Sequence, residues 1–227
     1  MDLPREIGQR VGVLGGTFDP VHNGHLAVAE AARRQLELDS LVLIPAAQPP
    51  HKSRLHLTPF HHRLAMLRLA VKDRPGLLVS SLEAERPGPS YSVDTLSALR
   101  EYLGDHVSLF FLVGIDAFVE ISTWKCYRQL PLLADIVVVD RPGAESHRLA
   151  DAVHRAFPGY LADSGQDLWR GPDGLGGIRT LAMAPVDVSS TDVRLLAAAG
   201  RSITHLLPPA VAHYIGKHHL YTQLPSC

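Results

Sequence analysis

Five short apolar runs separated by helical patterns constrain this chain more than any other feature. Val11-Gly12-Val13-Leu14, Leu41-Val42-Leu43-Ile44, residues 77–82, residues 107–113 and residues 136–139 read as buried strands. Apolar residues recur with helical spacing at 26–36, 59–71, 92–103, 146–157, 192–199 and 208–218. In the second of these, Phe60, Leu64, Leu67 and Val71 make the apolar stripe, and a proline stands near its start. Strands that alternate with helices imply right-handed crossovers and a parallel sheet covered on both faces. The expected fold is a Rossmann-like, doubly wound α/β sheet with a small helical C-terminal part, formed by residues 1–227 as one domain. Residues 158–177 break the pattern: rich in Gly, Pro and Asp and without periodicity, they read as a mobile surface insertion.

In such folds ligands sit beyond the carboxyl ends of the strands. The polar clusters of this chain fall there: 15–25, 49–52, 114–116 and 141–143 each follow an apolar run. Composition narrows the ligand class. The formal net charge is −1, so no global basic field favours nucleic acid or a membrane surface, and any attraction for phosphate must be local. Cys126 and Cys227 are the two cysteines and make no disulfide framework. The first ten residues are polar, and no apolar run reaches spanning length. A cytoplasmic enzyme is expected, and a homo-oligomer is compatible with the sequence.

The first cluster carries the chemistry. Gly15-Gly16-Thr17-Phe18-Asp19-Pro20-Val21-His22-Asn23-Gly24-His25 joins a strand to a helix. A helix start presents N–H groups and the positive end of its dipole, so it favours an anion. Two imidazoles at that mouth suit an anion that must be held while its charge grows. No Gly-Lys-Ser/Thr follows the glycines, which excludes a P-loop, and the glycine spacing is not the dinucleotide fingerprint. His22 and His25 could also be polar residues at a helix start, or a metal pair, although no third ligand stands at an obvious spacing. Ser189-Ser190-Thr191-Asp192-Val193-Arg194 is a second helix start, with hydroxyls and an arginine one turn in. It can cap a helix, clamp an anion, or do both.

The first cluster resembles the signature of the nucleotidyltransferases with a His-x-Gly-His motif, and most closely that of the bacterial nicotinate-nucleotide adenylyltransferases. The resemblance runs in order along nearly the whole chain. Ser189 to Arg194 is similar to the family's Ile-Ser-Ser-Thr-x-x-Arg, with Val188 in place of isoleucine. Pro49-Pro50-His51-Lys52 is similar to its Pro-Pro-His-Lys loop. Ser90-Tyr91-Ser92-Val93-Asp94-Thr95 is similar to Ser-Tyr-Thr-x-Asp-Thr, with Ser92 in place of threonine. Gly114-Ile115-Asp116, Trp124, Arg141-Pro142-Gly143 and the Val211 to Tyr221 tail complete it.

The resemblance implies transfer of the adenylyl group of ATP to nicotinate mononucleotide, giving deamido-NAD and pyrophosphate. It assigns catalysis to Thr17, His22, His25 and Arg194. It implies ATP contacts at Gly15, Gly16, Phe18, Gly114, Asp116, Ser189, Ser190 and Thr191. Mononucleotide contacts fall on His51, Lys52, Ser92, Trp124 and Lys125. Trp124 would stack on the pyridine ring, and backbone N–H groups at Ser92 and Lys125 would meet its carboxylate. Mg²⁺ would ride on the ATP phosphates, since this ion seldom uses a full protein cage. Without the resemblance, Ser92 reads as a helix cap, Asp116 as a cap of the next helix, and Trp124 as a core residue. A sister adenylyltransferase for nicotinamide mononucleotide or phosphopantetheine would share the first motif. A non-catalytic nucleotide sensor would be expected to have lost a histidine, and a nucleic-acid binder would need a basic face. His61-His62 and His218-His219 match no ligand pattern and read as surface residues.

Overall fold

A computed structural model describes residues 2–50, 57–140, 146–163, 165, 167–184 and 186–222. Eight strands form one sheet: β1 (Arg10–Gly16), β2 (Ser40–Pro45), β3 (Leu77–Val79), β4 (Ser108–Gly114), β5 (Asp135–Asp140), β6 (Leu161–Ala162), β7 (Leu168–Arg170) and β8 (Ile178–Ala182). Their order is β3-β2-β1-β4-β5-β8-β7-β6. All neighbours from β3 through β8 pair parallel, and β6 and β7 add an antiparallel edge. The chain moves outward from β1 to β2 and β3, then returns to β4 on the other side of β1. That reversal opens a crevice at the carboxyl ends of β1 and β4, where ligands bind in such sheets.

The helices are α1 (Asn23–Gln35), α2 (Phe60–Val71), α3 (Ser92–Leu103), α4 (Ile115–Val119), α5 (Leu130–Leu133), α6 (Ser146–Ala156), α7 (Ser190–Ala198) and α8 (Pro209–Lys217). Strand side chains alternate between faces, so each parallel strand must be apolar on both. Val13, Ile44, Phe111 and Val138 pack on one side against Leu96 and Leu99 of α3 and Val153 of α6. Leu43, Phe110, Leu112 and Val137 pack on the other against Leu26 of α1, Met66 of α2 and Val211 of α8. All six residues of β2 are buried, as its unbroken apolar run requires.

Three features depart from the sequence pattern. Residues 158–177 are not wholly irregular: β6 and β7 lie within them and pair back onto β8. Trp169 is 2% exposed within the core, and the Tyr160 hydroxyl donates to the Gly176 carbonyl at 2.9 Å. Burial, together with the charge of Asp135, pushes the Tyr160 phenol up to about 12. The strand β8 was not apparent, because only Ile178 and Leu181 of its five residues are buried. The buried face of α2 is Arg63, Met66, Leu67, Ala70 and Val71 rather than the stripe through Phe60 and Leu64. An arginine occupies a core position there because backbone carbonyls wait for it. Among the described residues, no helix is long and apolar enough to cross a membrane.

Candidate active site

The turn from β1 to α1 builds the first wall. His22 is the N-cap of α1, and its Nδ1 accepts the His25 N–H at 3.4 Å. His25 Nδ1 in turn accepts the His22 N–H at 3.2 Å, so two histidines form a reciprocal capping box. A nitrogen that accepts a backbone N–H carries its lone pair there, so in the neutral ring the proton sits on Nε2. Both imidazoles are thereby held in one tautomer. The rings stack at 3.7 Å between centroids, and Phe18, which is buried, meets His25 edge-on at 4.9 Å. Gly24 makes this approach possible: a Cβ there would lie 3.0 Å from His22 Nδ1 and 3.1 Å from Val188 Cγ1.

The start of α7 docks on the same turn. Ser189 caps α7, exchanging hydrogen bonds with Asp192. Ser190 Oγ donates to the Pro20 carbonyl at 2.9 Å, and Arg194 Nη1 donates to the Asp19 carbonyl at 2.7 Å. Arg194 Nη2 also reaches Thr191 Oγ1 at 3.3 Å. The starts of α1 and α7 thus meet at one turn. The cap uses Ser189, while Ser190 and Arg194 tie α7 to the turn through its backbone carbonyls.

Beside this turn lies a cleft of about 320 Å³ at the ends of β1 and β4. Gly15, Gly16 and Thr17 line it from the turn, and Gly114 from the end of β4. Ser92, Trp124 and Lys125 line its far end, with Pro49 and Pro50 along the side. A Cβ on Gly15 or Gly114 would project into open space, so neither glycine is demanded by protein packing. Trp124 leans edge-on against Phe111 at 6.3 Å and keeps partial exposure. Tyr91, not Ser92, is the N-cap of α3, and no side chain caps it. The expected Ser92 cap is therefore absent.

Lys125 Nζ pairs with both oxygens of Asp94, at 2.8 and 3.0 Å, and lies over the Tyr91 ring. The Asp94 hydrogen bond raises the lysine's pKa above its usual value. Its side chain is occupied along the rim. Asp116 does not line the cleft; its side chain is 89% exposed, 3.4 Å from Arg148 Nη2. It is the second residue of α4, which Gly114 caps. His51, Lys52 and Arg141-Pro142-Gly143 lie outside the described residues. His61, His218 and His219 are exposed, as expected, and His62 is half-buried. His62 Nδ1 is 3.0 Å from the Tyr214 hydroxyl, and the His62 and His218 rings meet between α2 and α8.

Two residues escaped the sequence reading. Arg63, from α2, reaches the back of the Thr17 turn, and Glu83 lines the cleft while accepting from Thr95 Oγ1 at 2.7 Å. An arginine in register with Met66, Leu67 and Ala70 was the available signal for the first. Among the described residues, no group of three or more His, Cys, Asp or Glu could hold a metal ion.

A model of the cytidylyltransferase-like family matches residues 13–196. A protein of Citrifermentans bemidjiense named "Probable nicotinate-nucleotide adenylyltransferase" is 45% identical over 213 residues, 93% of this chain and 98% of that protein. One of the same name from Geobacter sulfurreducens is 42% identical, again over 93% and 98%. The solved nicotinic acid mononucleotide adenylyltransferase of Plasmodium falciparum, complexed with NaAD, superposes with a TM-score of 0.70. It covers 96% of this chain and all of that one at 18% identity, a likeness of fold.

Proposed function

This chain belongs to the cytidylyltransferase-like family and, within it, to the nicotinate-nucleotide adenylyltransferases, and we propose that it joins ATP and nicotinate mononucleotide into deamido-NAD. A phosphate oxygen of the mononucleotide attacks the α-phosphorus of ATP. The new P–O bond forms as the bond to the β-phosphate breaks, and pyrophosphate leaves with that electron pair. The nucleophile is already an anion, so neither a covalent intermediate nor a strong base is required. What the protein must supply is alignment and stabilisation of the charge that moves onto the leaving group.

The observation that carries this reading is the cleft at the β1–β4 reversal, lined at one end by Gly15, Gly16 and Thr17, which lead into the two-histidine start of α1, and at the other by Trp124. The Nε2–H groups of His22 and His25, with Thr17, act on the reacting phosphates. Gly15, Gly16 and Gly114 let the nucleotide approach the backbone, with Phe18 wedged beneath. Ser189, Ser190, Thr191 and Arg194 bring the start of α7 to the departing pyrophosphate. Asp116, assigned to the ATP ribose by the family motif alone, lies on the solvent side outside the cleft. Trp124 stacks on the pyridine ring, whose carboxylate meets the backbone at Ser92 and Lys125 beside the uncapped start of α3. His51 and Lys52 belong to the mononucleotide phosphate.

Magnesium would be carried on the phosphates of ATP and would supply charge neutralisation there. The test is direct. The purified protein, with ATP and magnesium, is offered nicotinate mononucleotide, nicotinamide mononucleotide or phosphopantetheine, and pyrophosphate release is followed. Rapid release with the first is expected. Release with phosphopantetheine alone would refute the assignment.

A further inference from the structure

Arg63 is 1% exposed, the largest fully buried side chain among the described residues. A guanidinium removed from water must find acceptors, because an unpaired buried charge is strongly unfavourable. Its acceptors come from three separate segments. Nη1 donates to the Thr17 carbonyl and to the Ala46 carbonyl, both at 2.8 Å, and Nε donates to the Thr58 carbonyl at 2.9 Å. Thr17 belongs to the phosphate turn, and Ala46 follows β2 at the side of the cleft; both line it. The carboxylate of Asp19, also buried, lies close enough for its charge to favour the guanidinium. Asp19 is itself fixed from two sides, by the Thr58 N–H at 3.2 Å and by the Tyr221 hydroxyl at 2.7 Å. That phenol is pushed well above its usual range by burial and by the Asp19 charge, so it remains a donor.

We propose that Arg63 is a positioning residue for adenylyl transfer, locking the turn that receives the ATP phosphates to the wall of the mononucleotide cleft. One nitrogen, Nη1, holds a carbonyl from each side, so the spacing between the two substrate sites is set by a single rigid group. In-line attack needs the reacting atoms about 3–3.5 Å apart, and an error on the order of 1 Å costs about a hundredfold in rate. Lysine retains the charge but cannot substitute geometrically. Its donors radiate from one atom, whereas Arg63 uses two nitrogens of a planar fork. The inference rests on the functional reading above, since it concerns the meeting of those two substrates.

The test compares Arg63→Lys and Arg63→Ala with the parent, each assayed well below its own unfolding temperature. In Arg63→Lys, kcat is expected to fall at least about tenfold and the mononucleotide KM to rise at least about tenfold. The ATP KM, supported also by α7, is expected to move less than about threefold. Added guanidinium ion is expected to restore kcat to Arg63→Ala, and sodium chloride at equal ionic strength is not. A folded Arg63→Lys with both constants within about twofold of the parent would overturn the inference, even if it melts earlier. Should neither variant fold, Tyr221→Phe is measured instead; it removes one hold on Asp19 and keeps the ring. Its mononucleotide KM is expected to rise about threefold, and unchanged constants would overturn the inference. A parent chain inactive with nicotinate mononucleotide would refute the functional reading and this inference together; an active parent with an unaffected variant refutes this inference alone.

Discussion

His25→Ala separates the two tasks of one side chain. In the structure, His25 Nδ1 accepts the His22 N–H, and the ring packs on His22 and Phe18. Loss of the cap contributes about 1 kcal/mol of destabilisation, and loss of the edge contact with Phe18 up to about another. For a chain of this length that shifts the melting temperature by about 2–8 °C, which leaves the protein folded at 25 °C. The catalytic loss is separate and larger. Removing one donor aimed at developing charge costs about 100- to 1,000-fold in kcat, or about 2.7–4 kcal/mol. The ATP KM is expected to change less than about threefold, because the contact strengthens chiefly in the transition state. Steady-state pyrophosphate release, paired with a thermal scan of the same preparation, measures both effects. Parental kcat in a folded His25→Ala would refute the mechanism, and a change confined to KM would reduce the residue to binding.

Arg194→Lys keeps the charge but loses the fork that reaches Asp19 and Thr191, so the ATP KM should rise about tenfold, roughly 1.4 kcal/mol, with little change for the mononucleotide; equal damage to both KM values would contradict the clamp. Trp169→Ala should destabilise by about 3–5 kcal/mol and lower the melting temperature by about 6–20 °C, because the edge meander is part of the core. A shift under about 2 °C would mean the meander contributes nothing. Burial, then the charges of His61 and His218, lowers the pKa of His62 from its ordinary 6.5. The unfolded chain therefore binds a proton more readily. Stability from His62 is complete above that ordinary value and is lost as pH falls through it toward the folded pKa. The melting temperature of His62→Gln should accordingly decline less than the parent's between about pH 7 and 5; an identical decline would exclude the effect.

Local chemistry explains which features could be read from the chain. Val11 to Leu14 and Leu41 to Ile44 announce themselves because central parallel strands are buried on both faces. Thr17 and Ser92 lie at a strand end and a helix start, where ligands gather, whereas Trp124, which follows a short 3-10 turn, is placed at the cleft only by the family resemblance. The two-histidine capping box was not visible, since histidine is not a usual cap and the reciprocity exists only when both rings turn inward. Arg63 was hidden for another reason. Its burial is decided by carbonyls 5, 17 and 46 residues away, and no local period reports such partners. The strands β6 and β7 have two and three residues, too few to show alternation, and become strands only by pairing with each other and β8. Lys125 is tied to Asp94, 31 residues earlier, a partner that no local pattern reports.

The central claim is that the far end of the cleft selects a pyridine carboxylate. A site that offers backbone N–H donors suits the anion, because an amide NH₂ turned toward them leaves donors unpaired. Equal concentrations of nicotinate and nicotinamide mononucleotide, competing for limiting ATP in one vessel, report the ratio of kcat/KM as the ratio of deamido-NAD to NAD. A ratio of at least about ten to one is expected, equivalent to roughly 1.4 kcal/mol. Equal amounts of the two products would contradict the claim while leaving adenylyl transfer itself intact.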